Sequence, residues 1–296
     1  MTRARPRLAI TLGDPRGIGP EIVAKALADE RVREVASYLV VGATGAGDRV
    51  DDPVGEWRDG EGAARAGRLA GLAVERAASL ALGGEVQGIV TAPLDKAALL
   101  AGGYADPGHT EMLARLTGRR VAMMLASPVL RVVLATTHVA LRDVPHALTA
   151  ESILDAAAVT REGLRHWFGL ASPRIALCAL NPHAGDQGRF GDEDDVLLGP
   201  AARRAGIAGP FPADTVFVRA MRGQFDAVIA PYHDVGMTAI KVASFGSAVN
   251  VTLGLPFPRT SPDHGTALDI AGHGIADASS MIEAILMAAE IAARRR

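Results

Sequence analysis

Three histidines stand in separate short motifs across the middle of the chain: Thr136-Thr137-His138, Asn181-Pro182-His183-Ala184-Gly185 and Tyr232-His233-Asp234. Each follows an apolar run of strand character, at 130–134, 175–180 and 227–230. In open α/β sheets ligands gather beyond the carboxyl ends of strands, so three imidazoles placed there could offer a divalent metal an all-nitrogen face. Each could equally cap or bond its own loop, since imidazole is an ordinary loop residue. Gly13-Asp14-Pro15-Arg16-Gly17-Ile18-Gly19-Pro20-Glu21 puts three glycines between a first strand and a first helix, where backbone can approach a ligand closely. The spacing is not G-x-G-x-x-G, and the Asp14 carboxylate disfavours a phosphate lying on it, so a structural turn and a cofactor loop both stay open. Gly108-His109-Thr110-Glu111 sets donors before a helix, either to hold an anion or with Thr110 as a plain N-cap. Lys241, Asn250 and Arg259 supply two cations and an amide, which suit a carboxylate or phosphate, or are three unrelated surface residues.

The elements that must position these groups alternate along the chain. Strands are expected at 8–12, 38–41 and 86–91, and helices at 20–28, 63–82, 111–117, 151–168, 194–205 and 278–294, with further strands between. That alternation predicts a largely parallel sheet with right-handed crossovers. Residues 42–60, rich in Gly, Asp and Pro, are expected to form a surface excursion. With 296 residues, 49% hydrophobic and 22% charged, the chain can bury one large or two medium cores. A net charge of −2 and 4% aromatic content give no basic, aromatic-interleaved surface for nucleic acid. The single cysteine, Cys178, lies in an apolar run, which excludes an intramolecular disulfide and reads as a buried thiol. The apolar run after the first arginines is too short for a signal-peptide core, and none reaches the length of a membrane span, so the chain reads as soluble and cytoplasmic.

Taken in order with Ala135-Thr136-Thr137-His138, Pro212-Ala213-Asp214-Thr215 and Asn250-Val251-Thr252-Leu253-Gly254-Leu255-Pro256-Phe257, these stretches make the chain resemble the 4-hydroxythreonine-4-phosphate dehydrogenase family of vitamin B6 biosynthesis through almost its whole length. The resemblance implies an α/β fold of two α/β/α domains with a cleft between them, like isocitrate and isopropylmalate dehydrogenases. Residues 1–118 with 258–296 would form the first domain, and 119–257 the second, carrying the metal histidines and a dimer interface. His138, His183 and His233 would bind one divalent ion, zinc, magnesium or cobalt. His109, Thr110, Lys241, Asn250 and Arg259 would contact a phosphorylated substrate. The active site would lie in the interdomain cleft of a homodimer and be completed by the second subunit.

Asp263-His264-Gly265-Thr266-Ala267-Leu268-Asp269-Ile270-Ala271-Gly272-His273-Gly274 resembles the adenosine-binding loop of isocitrate and isopropylmalate dehydrogenases. This implies NAD held by His264, Gly265, Thr266 and Asp269, with Gly13 and Asp14 in the first turn. An acidic Asp269 would accept the ribose hydroxyls and repel the 2′-phosphate of NADP. The implied reaction is metal-dependent oxidation of 4-phosphooxy-threonine by NAD, with decarboxylation to 3-amino-2-oxopropyl phosphate. For the base, Lys96, Asp214 and Asp234 are candidates, each as well suited to structural ion pairing. Val235 stands where the family usually has Gln, Arg16 where it has a small residue, and the segment between Val41 and Val86 is shorter by a few tens of residues. These departures leave a related substrate open, 4-phospho-threonate, 4-phospho-erythronate or an aromatic dihydrodiol. A metal-dependent hydrolase would give the loop at 263–274 no role, and a phosphometabolite-binding protein would not need three metal-ready histidines.

Overall fold

The computed structural model describes residues 5–244 and 246–295, and the chain divides into two compact units. The first runs to Arg119 and takes in Val249–Val251 and Leu255 onward; the second comprises Arg120–Ala248 and Thr252–Gly254. The strands are β1 Arg7–Thr11, β2 Ser37–Thr44, β3 Asp52–Glu56, β4 Gly88–Thr91, β5 Ala122–Ala126, β6 Arg131–Leu134, β7 Ile175–Cys178, β8 Ala208–Phe211, β9 Ala227–Ala230, β10 Val249–Leu253 and β11 Arg259–Ser261. Leu8, Ala9 and Ile10 in β1, Val132 and Val133 in β6 and all of β9 are fully buried, as expected of strands covered on both faces.

In the first unit the order is β3-β2-β1-β4-β11-β10, parallel except for the pair β11–β10. In the second it is β5-β6-β9-β7-β8, parallel except for β5–β6. The expected parallel character therefore holds with two exceptions, and connection length explains both. Only a few residues join β5 to β6 and β10 to β11, too few for the crossover that a parallel pair requires.

Three local expectations are corrected. Residues 42–60 lie largely at the surface, as expected, but are not irregular throughout: β2 continues to Thr44, and β3 adds at its edge. Trp57, 5% exposed, packs there with Ala43, Ala66 and Leu69. An edge strand tolerates Pro53, because one side of its backbone needs no ladder partner. The helix expected at 194–205 begins as a π-helical turn, Asp194–Leu198, and becomes α-helical only at Gly199–Ala205; Pro200, which has no N–H to donate, falls at the change. Thr110 is not an N-cap. The helix is His109–Thr117, Gly108 is its cap without a side-chain bond, and Thr110 lies within the first turn.

Candidate active site

Strands β6 and β9 run side by side, Leu134 against Ala230, and the chain leaves both at the same end. Ala135 N donates to Ala230 O at 2.9 Å, and Thr136 Oγ1 donates to Pro231 O at 2.7 Å, so the two loops stay tied beyond the strands. His138 and His233 consequently meet, with ring centroids 5.4 Å apart. They line one cleft with Thr137, Leu141, Tyr232 and Asp234. Asp234 Oδ1 lies 2.7 Å from His233 Nδ1. An imidazole that donates from Nδ1 to a carboxylate presents Nε2 as a lone pair, the arrangement that orients metal-ligating histidines.

His183 is held by other means. Asp194, 1% exposed, accepts from Leu180 N at 2.8 Å and Asn181 N at 2.9 Å. Asn181 Nδ2 donates to Glu193 Oε2 at 2.7 Å. Beyond this bracket every residue from His183 to Gly188 has positive φ, and the His183 ring lies 6.4 Å from that of Phe190. Among the described residues no three His, Cys, Asp or Glu side chains gather closely enough to hold a metal ion. Within one chain the expected trio is thus a pair, His138 with His233, and a third imidazole on its own loop. The pair suits two positions of a nitrogen-ligated divalent ion.

The first unit gathers positive charge around an uncharged ring. Arg259, on β11, is 2% exposed, and its Nε and Nη2 donate to Thr91 Oγ1 at 3.1 and 2.6 Å. Burial brings its pKa down from 12.5 to about 10, and the charge of Glu111 opposes the shift. His109 keeps part of its surface exposed, but Nε2 is covered and has no protein partner. Burial first, then the charges of Arg259 and Lys96, hold its pKa well below the usual 6.5. Lys96 opens the helix Lys96–Ala101, whose cap Asp95 accepts from Ala98 N at 2.8 Å. Asn250, opposite Ser261 across β10 and β11, also has a covered, unpartnered oxygen, Oδ1. Two cations, an imidazole and the first turn of a helix suit an oxyanion with phosphate or carboxylate geometry.

The remaining candidates lie on other elements. Lys241 is exposed in the last turn of the helix His233–Ala243 and belongs to the second unit, whereas Asn250 and Arg259 belong to the first. Asp214 is exposed in the first turn of the helix Ala213–Met221. Burial pushes the Cys178 thiol up to about 12, with Asp194 and Asp214 adding to the shift. Val235 packs against the apolar core of the second unit, which explains an apolar residue at that place.

The turn after β1 is built around two close approaches. Gly13 has φ +71°, and a Cβ there would lie 2.1 Å from Pro93 O, so only glycine fits. Asp14 is fully buried, and its oxygens accept from Arg16 N at 2.9 Å, Nε at 3.1 Å and Nη2 at 2.7 Å. Arg16 Nη2 also lies 3.6 Å from Asp95 Oδ2. The Asp14 carboxylate is therefore committed to Arg16. Ile18 N donates to Thr266 O at 2.9 Å, which joins this turn to the glycine-rich loop at 263–274. In that loop Gly265 and Asp269 are exposed, His264 Nδ1 is 3.1 Å from Gly265 O, and His264 Nε2 is covered without a partner. Arg16, Gly17, Glu21, Trp57, Ala271 and Gly272 line an open cleft beside it.

Reading the sequence alone misses the part played by Thr91, Arg16 and Asp194. The Asp14-Pro15-Arg16 spacing could have suggested an ion pair across a turn. Asp194 gives no such signal, since Asp192-Glu193-Asp194-Asp195 reads as a solvated acidic run.

A family model described as pyridoxal phosphate biosynthetic protein PdxA matches residues 22–288. A 4-hydroxythreonine-4-phosphate dehydrogenase of Geobacter metallireducens is 44% identical over 330 aligned positions, covering 99% of this chain and 97% of that protein. Those positions exceed the 296 residues of this chain, so the relative carries stretches that this chain lacks. A D-threonate 4-phosphate dehydrogenase of Cupriavidus necator is 42% identical, covering 98% of each protein. The crystal structure of a 4-hydroxythreonine-4-phosphate dehydrogenase from Klebsiella pneumoniae matches with a TM-score of 0.87 at 39% identity, covering 99% of both chains. Identity on this scale over nearly the full length means that the chain belongs to the PdxA family, oxidoreductases of the isocitrate/isopropylmalate dehydrogenase-like fold.

Proposed function

We propose that this chain oxidises 4-phosphooxy-threonine with NAD, in the presence of a divalent metal ion, and releases 3-amino-2-oxopropyl phosphate and carbon dioxide. The observation that carries the reading is the cluster of Arg259, Lys96 and the uncharged His109, which we read as an oxyanion pocket. A bidentate guanidinium contact to phosphate is among the strongest charge-assisted bonds available to a side chain. Arg259 and Lys96 hold the phosphate, and Thr91 fixes the plane of the guanidinium. His109 and Thr110 bond further oxygens at the start of their helix, and Asn250 Oδ1 accepts from the substrate. The secondary alcohol at C3 gives a hydride to the nicotinamide and its proton to a base. The resulting β-keto acid loses its carboxylate as carbon dioxide, and the electron pair left behind takes a proton. Of the three candidate bases, Lys96 lies beside His109, Asp234 is engaged with His233, and Asp214 is exposed in the first turn of its helix.

The metal, once bound, supplies a Lewis acid that lowers the pKa of the alcohol and polarises the new carbonyl. His138 and His233 would hold it, with His183 as the third ligand in a site shared between two copies of the chain. The separation of His183 from the pair within one chain supports sharing. So do the exposed apolar side chains of the second unit, Leu141, Val196 and Val242, which suit a second copy. Asp269, exposed on the loop at 263–274, would receive the adenosine ribose and favour NAD over NADP. As an NAD-linked biosynthetic enzyme it would work in the cytoplasm.

The relative named for D-threonate 4-phosphate supports a second reading, oxidation of 4-phospho-threonate, which carries a hydroxyl in place of the amino group. Turnover of the two substrates with NAD, each with and without chelator, decides between them. A kcat/KM at least tenfold higher for 4-phosphooxy-threonine, abolished by chelation, is expected. Turnover of neither would overturn both readings.

A further inference from the structure

Glu21 ends the first glycine-rich motif and Lys25 lies one helical turn beyond it, and together they join the first helix to the far end of the loop at 263–274. Lys25 is in the last turn of the helix Gly19–Ala28. Its Nζ donates to Glu21 Oε1 at 2.8 Å, to Gly274 O at 2.9 Å and to Ala276 O at 2.7 Å. The same Glu21 oxygen accepts from Ala276 N at 2.8 Å. One ammonium and one carboxylate thus close four bonds, three of them to or from loop backbone.

An isolated i,i+4 pair on a helix contributes little. This one differs because its partners belong to a segment with almost no support of its own. From Pro262 to Ala278 no helix or strand forms. The near end of the loop is tied by the bond from Ile18 N to Thr266 O. At 274–276 the pair supplies the tie. Asp263 is bonded to Ser280 at the start of the loop, and turn bonds run from Ile270 N to Ala267 O and from His273 N to Ile270 O, but Leu268, Asp269, Gly272 and His273 are exposed, and between 266 and 274 the span is joined to the first helix by those two attachments. An ordered loop binds a ligand without losing conformational freedom at that moment, and an untied one does not.

We propose that Lys25 and Glu21 are positioning residues for cofactor binding, a two-residue latch that holds the loop at 263–274 in its dinucleotide-receiving form. The inference rests on the reading of that loop as the NAD site. Neither residue is asked to touch the cofactor. The latch acts on affinity for NAD, leaving the metal pair and the oxyanion pocket as they are.

The test measures NADH affinity by fluorescence titration of the purified protein, alongside substrate KM, kcat at saturating NAD, metal content and thermal midpoint. Lys25 is 40% exposed, so Lys25→Met leaves the core intact. Lys25→Met is expected to weaken NADH binding by about tenfold, as befits the loss of several charge-assisted bonds, to raise KM for NAD in step, and to change substrate KM and metal content little. Lys25→Arg should restore most of the affinity, and Glu21→Ala should repeat the loss. Limited proteolysis within 267–273 should quicken in Lys25→Met and slow again when NADH is added. A lower thermal midpoint with unchanged NADH affinity would leave the pair a purely structural tie and overturn the proposal. Asp269→Ser separates the layers: if it too leaves NADH and NAD binding unaltered, the cofactor reading of the loop falls, whereas a loss in Asp269→Ser without one in Lys25→Met sinks the latch alone.

Discussion

His109 is kept uncharged by its neighbours, and that has a measurable cost in acid. Its pKa in the folded chain is depressed below 6.5, mainly by burial and then by Arg259 and Lys96. Below pH 6.5 the unfolded chain takes up a proton that the folded chain refuses, so stability contributed above that pH is lost as pH falls toward the folded value. The slope approaches about 1.4 kcal/mol per pH unit for one such group. His109→Gln cannot protonate and should flatten the stability profile between pH 6.5 and 5, measured by urea unfolding at each pH. A variant that loses stability in acid as steeply as the wild type would show that other groups set the slope. Arg16 makes a different point about single residues. At the place where the resemblance leads one to expect a small side chain, this chain closes a guanidinium onto the buried Asp14 and reaches Asp95, the cap of the helix that begins with Lys96. A departure that looks in the sequence like a change of specificity is, in the structure, a brace between two turns.

Among the elements, the helix Ala63–Leu82 shows how packing overrides propensity. Gly67 falls in its interior, where alanine would gain about 1 kcal/mol of intrinsic helix preference. A Cβ there would lie 1.8 Å from Ala98 O, in the backbone of the helix that Lys96 opens. Gly67→Ala should therefore lower stability by about 1–3 kcal/mol, the usual range for overpacking, and raise substrate KM by displacing Lys96. Unchanged stability would mean that the two helices part freely. The opposite sign is expected at Ala184, φ 57° and ψ 44°, in the left-handed run beside His183. Ala184→Gly should raise stability by about 1 kcal/mol, since glycine adopts this conformation without the steric penalty, and thermal unfolding reads the gain. These boundaries also mark what the sequence can disclose. A long alanine-rich amphipathic stretch such as 63–82 is legible because many positions agree on one period. β3 is not, because Asp52-Pro53-Val54-Gly55-Glu56 holds one apolar side chain and becomes a strand only by pairing with β2. The end of the 194–205 segment is legible and its beginning is not, since a single proline resets the turn there.

For the whole molecule, the histidine motifs were readable as strand-end groups because each follows a buried apolar run. Their grouping was not, since it depends on which strands are neighbours: β6 and β9 are adjacent, and that adjacency, set by topology over nearly a hundred residues of chain, pairs His138 with His233. The contact of Arg259 with Thr91 depends likewise on β11 lying against β4. Cys178 carries a further consequence of this architecture. It is the chain's one thiol, fully buried in β7 between β9 and β8, with its pKa pushed up to about 12. The thiolate is what attacks a thiol reagent, so the folded second unit gives the reagent neither access nor a nucleophile. Labelling becomes a clock. In native buffer at pH 8 the rate should be at least about a hundredfold below that of a free cysteine and should follow the opening of the second unit, and it should rise with urea while opening confined to the first unit leaves it unmoved. Labelling at the rate of a free cysteine would mean that β7 is not enclosed. One sulfur atom would then time the unit that holds the histidines, without any probe being introduced.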